Sequence, residues 1–430
     1  MKSSPTELPQ SNTGLSVDAE RLLSSLAAMA VLGATPKGGV NRQTLTDLDR
    51  EARDLFCTWC DEAGLTVRVD EMGNLFARRA GRDDQRDPVQ TGSHLDTQPT
   101  GGRYDGALGV LAGLEVMRAL NDADYVTEAP LELVMWTNEE GCRFAPAMMG
   151  SGVHAGLHDR DFMMQVEDPD GRSFGEELQR IGYQGPIPCT HRRNPTGALI
   201  ELHIEQGPLL EDEGIAIGVV TGGQAQRWYE IELVGMESHA GTTPMPVRRD
   251  ALVAAAGIVT AVRALGEEFA PHARTTCGVL EARPNSRNVI PGSVFLTVDM
   301  RHPDAQVLAT MDARLRAAAN DSASQERVAC TVGQILDVPA VEFHTEVVEA
   351  VRSASADLSY SHRDIISGAG HDAMNVARVA PAGMVFIPCV DGISHNEIEN
   401  ALPDDIVRGA NVLLRALVSL ADRPGLDAAA

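Results

Sequence analysis

"LELVMWTNEEG", residues 131–141, runs an apolar segment straight into two adjacent carboxylates and a glycine. An apolar run of this length, without polar alternation, reads as a strand buried on both faces, the kind found in the parallel sheet of an α/β domain. Glu139 and Glu140 then stand side by side at its end, where like charges repel and are costly to desolvate. The pair needs a compensating positive charge.

The neighbouring sequence fits the same sheet. "PVQTGSHLDT" (88–97) reads as a second short strand, and "GALGVLAGLEVMRAL" (106–120) as a helix apolar on most sides and therefore buried. Strand, helix and strand at this spacing make a βαβ unit. Before it lie two helical patterns, "VDAERLLSSLAAMAVLG" and the one around Phe56, and a hairpin, "LTVRVDEMGNLFARRAG", with Gly73 near its turn. From 222 to 338 the rhythm changes. "RWYEIELVG" alternates, with Tyr229, Ile231 and Leu233 facing one way and Glu230 and Glu232 the other. A helix at "PVRRDALVAAAGIVTAVRALGEEF", strands at "TTCGVLEARP" and "SVFLTVDMR", a helix at "DAQVLATMDARLRAAAN" and a strand at "RVACTVGQIL" follow. That order is the βαββαβ of a ferredoxin-like domain. A helix at "TEVVEAVRSAS", a strand at "AGMVFIP" and a helix at "PDDIVRGANVLLRALVSL" then resume the α/β pattern. The expected architecture is one α/β domain, residues 1–221 and 339–430, interrupted by an inserted α+β domain, residues 222–338.

Composition narrows the function. The 430 residues are 43% hydrophobic and 23% charged, the balance of a soluble globular protein. A net charge of -25 argues against nucleic acid or an anionic membrane as partner. No apolar stretch reaches the roughly 18 residues of a membrane span. "MKSSPTELPQSNTG" lacks the apolar core of a signal peptide and reads as a frayed lead, as "DRPGLDAAA" reads as a frayed tail. Seven scattered cysteines suit reduced thiols in the cytoplasm. Cys57 and Cys60 form a C-x-x-C, but inside a helical pattern and without a second pair, so packing is their expected role. His154 and His158, spaced i,i+4 without the glutamate of H-E-x-x-H, are read as helix-face residues.

The chemistry gathers where strands enter glycine-containing loops. "TGSHLDT" supplies His94 and Asp96, "GGRYDGALG" Asp105, "NEEG" Glu139 and Glu140, "ELHIEQGP" His203, and "GISHNE" His395. Ligands collect at the carboxyl ends of the strands of an α/β sheet, so these loops can converge. Each histidine alone is more simply a core or surface residue; five such loops in one chain are not. Three imidazoles with two or three carboxylates suit Zn²⁺, Mn²⁺, Co²⁺ or Ni²⁺. Five ligands fit two ions sharing a bridging carboxylate. Glu140 as a ligand is no longer uncompensated, and Glu139 is left free for acid–base work.

With these motifs, and with "TGSHLDTQPTGGRYDG", "TNEEGCRFAPAMMGS", "SHAGTTPM", "NSRNVIPG", "DMRHP", "GAGHDA" and "GISHNEIE" in order from about residue 90 to 400, the sequence resembles the M20 superfamily of dinuclear-metal amidohydrolases. The resemblance is to the hydantoinase/carbamoylase branch, which includes N-carbamoyl-L-amino acid hydrolases, β-ureidopropionases and allantoate amidohydrolases. It implies that Asp105 bridges two divalent ions, with His94 and His203 completing one site and Glu140 and His395 the other. It implies Glu139 as general base and Asp96 orienting His94. The inserted domain would dimerise the chain, and His239 would reach the partner's site to polarise the substrate carbonyl. Gln206, Asn288 and Arg301 match substrate-holding positions. Glu397 departs from the family, which often has proline there. The expected activity is hydrolysis of the ureido C–N bond of an N-carbamoyl amino acid. Allantoate hydrolysis, dipeptide hydrolysis and a non-catalytic dimeric scaffold are the alternatives, and the intact Glu139 speaks against the last.

Overall fold

The computed structural model describes residues 14–423; the sequence's polar lead and most of its tail lie outside them. Within that span the chain divides into two compact units, 1–222 with 342–430, and 223–341.

The first unit is built on a nine-stranded sheet. Four parallel strands form its centre: Leu131–Trp136, Val89–His94, Ala198–Ile204 and Ala382–Ile387. Every residue of these four is buried, which is why their sequences run apolar without alternation. The hairpin Thr66–Val69 and Leu75–Arg79 continues the sheet antiparallel on one side. Ile217–Gly223 does so on the other. Ile217–Gly223 and the adjoining His362–Ser367 are strands that the sequence reading does not include. The expected βαβ unit is present, with the buried helix Ala107–Asp122 joining Val89–His94 to Leu131–Trp136. Its start depends on a glycine. Gly106 has φ +65°, and a Cβ there would fall 2.4 Å from the imidazole of His94.

The parallel register aligns the loops. His94 pairs with Trp136 and His203 with Phe386, so the residues following each strand emerge at one edge of the sheet. Asp105 stands just before the helix, two residues from its first turn.

The second unit is an antiparallel sheet ordered Leu280–Arg283, Ser293–His302, Ala225–Val234 and Ala329–Val338, with Arg274–Thr276 also on Ser293–His302. Tyr229, Ile231 and Leu233 join Val294, Leu296, Val298 and the helices Ala251–Glu268 and Ala305–Glu326 in one apolar core. The single strand expected at "TTCGVLEARP" is instead two. They break at Cys277–Val279, where the Val279 N–H bonds to the Thr297 hydroxyl while its carbonyl still accepts from the Thr297 backbone.

One smaller expectation is corrected. The helix Met149–His154 ends at His154, so His154 and His158 do not share a helix face. His154 is buried among Phe76, Trp136 and His191, and neither ring nitrogen meets a hydrogen-bond partner among the described residues. Cys57 and Cys60 lie in the helix Asp47–Glu62, and all seven cysteines are free. Among the described residues no helix is long and apolar enough to cross a membrane.

Candidate metal centre

All five expected ligands meet around Asp105. Its Oδ1 lies 3.1 Å from His203 Nε2 and 3.7 Å from His94 Nε2. Its Oδ2 lies 3.4 Å from His395 Nε2, which is in turn 3.6 Å from Glu140 Oε2. One carboxylate therefore offers a different oxygen to each of two donor sets, His94–Asp105–His203 and Asp105–Glu140–His395. For bonds of about 2.1 Å to a tetrahedral cation, ligand atoms stand about 3.4 Å apart. The observed separations match that spacing.

The imidazole protons are assigned by their partners. Nδ1 of His94 faces the carbonyl of Asp96 at 2.8 Å, and Nδ1 of His203 faces the carbonyl of Ile204 at 2.9 Å. A carbonyl only accepts, so each Nδ1 carries a hydrogen, and each Nε2 is the nitrogen turned toward Asp105. Asp96 thus meets His94 through its backbone carbonyl. Its carboxylate, 3.9 Å from that ring nitrogen, instead takes the backbone N–H groups of Glu139 and Glu140, both at 3.3 Å. It fixes the turn that presents the two glutamates.

Those glutamates diverge. Glu140 accepts from the backbone of Gln98 on Oε1 and from its side-chain amide on Oε2, at 3.0 and 2.7 Å, and Oε2 also faces His395. Glu139 stands 3.4 Å from His94 Nε2. Asn138 before them has φ +59°, and Gln206 and His395 have φ +57° and +52°. Non-glycine residues in this region are strained and cluster at functional sites.

Charge makes the case for a cation. Burial, followed by Asp372, Glu140, Asp105 and Asp96, pushes Glu139 well above its usual range. Burial and Asp105 push Glu140 up to about 8, and burial and Asp49 push Asp96 up to about 7. Burial drives His94 down to about 4. Burial alone would lower His203, but its bond to Asp105 raises it to about 9, and a bond to Asp105 raises His395 to about 9. Among the described residues no lysine or arginine forms an ion pair with Asp96, Asp105, Glu139 or Glu140; their close cationic partners are histidines. Divalent ions would supply the missing positive charge, and the donor set suits them.

Of the expected substrate residues, Gln206 joins this centre. Its amide donates to Asp105 at 3.0 Å and Ser394 at 3.1 Å, and its Oε1 is buried without a partner. The other two, Asn288 and Arg301, lie in the second unit, as does His239. His239 and Asn288 adjoin there: Ser238–His239 pairs with Val289–Ile290, and the carbonyl of Asn288 accepts from Ala240. His239 is thus in a short strand. Its Nδ1 accepts from the backbone of Gly241 and Thr242, which places the proton on Nε2 as a donor. Arg301 is half-buried on Ser293–His302 and paired with Asp299 at 2.8 Å. Glu397, at the departure from the family pattern, pairs with Lys37 at 3.2 Å.

Sequence reasoning does not single out Glu201, His371, Asp372 or Glu399. Glu201 and His371 form a third possible donor group with His203. Both oxygens of Glu201 are already engaged, by Ser93 at 2.6 Å and the backbone of Ala373 at 3.0 Å. His371 packs edge-on to His203, 4.6 Å between ring centres. A charged residue at position 201, inside the apolar "ALIELHI" and two residues before a ligand, is the signal that could have found Glu201.

The sequence profile of the peptidase family M20/M25/M40 matches residues 91–419, and the chain belongs to that family. It is 48% identical to an N-carbamoyl-L-amino-acid amidohydrolase of Rhizobium meliloti, over 94% of this chain and 97% of the relative. It is 33% identical to an allantoate amidohydrolase of Bacillus subtilis, over 91% of this chain and 95% of the relative. A crystal structure of an amidase of the hydantoinase/carbamoylase family from Burkholderia multivorans is 56% identical, with a TM-score of 0.92, covering 95% of this chain and 99% of that one.

Proposed function

We propose that this chain hydrolyses the ureido C–N bond of an N-carbamoyl amino acid, releasing the amino acid, ammonia and carbon dioxide. The observation that carries the reading is the Asp105 carboxylate, with one oxygen toward His94 and His203 and the other toward His395. The five residues His94, Asp105, Glu140, His203 and His395 would hold two divalent ions, which when bound polarise the substrate carbonyl and make water acidic. The similarity to relatives named for this substrate class supports it.

Glu139 has no backbone or side-chain donor that fixes it as a ligand, and it faces the centre beside His94. It takes the proton of the attacking water as oxygen bonds to the carbamoyl carbon. When the C–N bond to the amino acid breaks it returns that proton to the leaving nitrogen, and the carbamate left behind decomposes to ammonia and carbon dioxide. Asp96 holds its backbone in place. The Nε2–H of His239 is a hydrogen-bond donor suited to the oxyanion, and in our reading it serves the site of a partner subunit, with the 223–341 unit as the dimer contact. Arg301 takes the substrate carboxylate, its fork of donors matching two oxygens, in exchange for Asp299. Gln206 and Asn288 supply amides to the ureido group.

The test is a panel of N-carbamoyl-L-amino acids, N-carbamoyl-β-alanine, allantoate and dipeptides, with ammonia or amine release measured after loading with Mn²⁺, Zn²⁺ or Co²⁺. N-carbamoyl amino acids should be turned over fastest. Replacing the substrate carboxylate by an amide should cost about 2 to 5 kcal/mol in apparent transition-state binding, because it removes the anionic partner proposed for the guanidinium of Arg301. Preference for allantoate would reassign the substrate while keeping the chemistry. Equal rates for acid and amide would remove Arg301 from its role.

A further inference from the structure

His395 is the ligand with the least support. It is 52% exposed, lies outside any helix or strand and adopts φ +52°. Something else must aim it. Four residues further on, the fully buried carboxylate of Glu399 crosses from this loop to the one that carries Asp105. Its Oε1 accepts the backbone N–H groups of Tyr104 and Asp105, both at 3.1 Å. Its Oε2 takes the hydroxyl of Ser394 at 3.1 Å, beside His395. The same hydroxyl oxygen is 3.3 Å from Asp105 Oδ2 and accepts from Gln206 at 3.1 Å. The carboxylate also lies against the bare backbone of Gly102, where a Cβ would fall 2.0 Å from Oε1.

The geometry points to Glu399 as a positioning residue: a brace that locks the Asp105 loop to the His395 loop and so forms the Asp105–Glu140–His395 cation site, without itself ligating. Each of its oxygens already serves a backbone or hydroxyl donor, and among the described residues Glu399 belongs to none of the groups whose donor atoms come together as a cation set. The His94–Asp105–His203 set does not depend on it in the same way, because His94 and His203 end two central strands and are held by their own carbonyl partners. The inference rests on the metal-centre reading.

Equilibrium dialysis with Co²⁺, with metal counted by elemental analysis and the visible absorption of bound cobalt recorded, tests it in the full-length protein. Glu399→Ala should weaken one cation and spare the other. Outer partners of ligands typically contribute about 10- to 100-fold in metal affinity, and a loss of that size is expected at the weakened site. Glu399→Gln keeps an oxygen for the two N–H groups and can donate to Ser394, so it should restore most of the affinity. Ser394→Ala, a milder change suited to the case in which Glu399→Ala fails to fold, should weaken the same cation by a smaller factor. Wild-type affinity at both sites in Glu399→Ala, or equal loss at both sites in all three variants, would overturn the brace. A wild-type protein that binds only one cation would overturn the two-ion reading and the brace with it.

Discussion

Glu139→Gln is expected to lose about 10²- to 10⁴-fold in turnover, the usual range for a general acid–base group, while keeping its full complement of metal. Glu140→Gln is expected to lose metal. The two residues are neighbours with the same charge, and a reading by composition would treat them alike. Their partners separate them. Glu140 is held by two donors from Gln98 and faces His395 across 3.6 Å, the posture of a ligand. Glu139 lies near His94 and is buried among carboxylates that raise its proton affinity, the posture of a base. Elemental analysis beside steady-state rates for both variants decides the matter. Equal metal loss in the two would falsify the division of labour.

Activity regained by mixing two dead variants is the second expected result. His239→Ala and Glu139→Gln should each be nearly inactive alone, because one lacks the oxyanion donor and the other the base. If His239 serves the partner's centre, a mixed dimer contains one site with both groups and one with neither. Random two-fold assembly then recovers about a quarter of wild-type activity. The physical basis is the arrangement at His239: Gly241 and Thr242 occupy its Nδ1, so Nε2–H is available to a substrate oxygen. Subunit exchange confirmed by mass, with no activity regained, would return His239 to its own subunit or to no role.

The elements that hold the site were legible because their signals are local. An apolar run names a central strand, and a histidine or carboxylate just beyond it names a ligand candidate; His94, Glu140 and His203 follow that rule. The buried helix after Asp105 was equally plain. What escaped was set at a distance. Glu201 is engaged by Ser93, 108 residues earlier, and Glu399 by Tyr104, 295 residues earlier, and no periodicity records such pairs. The role of Asp96 was half legible, since sequence identifies a carboxylate but not that the backbone carbonyl is what meets His94. Ile217–Gly223 was missed although Ile217, Val219, Val220 and Thr221 favour a strand, because glycines at 218, 222 and 223 break its pattern and the pairing against Ala382–Ile387 is long-range. The break at Cys277–Val279 likewise depends on a hydroxyl from the facing strand.

The most direct test of the central claim, a two-ion hydrolytic centre bridged by Asp105, is to strip the protein with chelator and titrate Mn²⁺, Zn²⁺ or Co²⁺ back while following both bound metal and hydrolysis of an N-carbamoyl-L-amino acid. The account predicts no turnover in the metal-free protein and full turnover only as the second ion per subunit binds, with Asp105→Asn unable to reach it. Full activity in the metal-free protein, or saturation at a single ion, would contradict it.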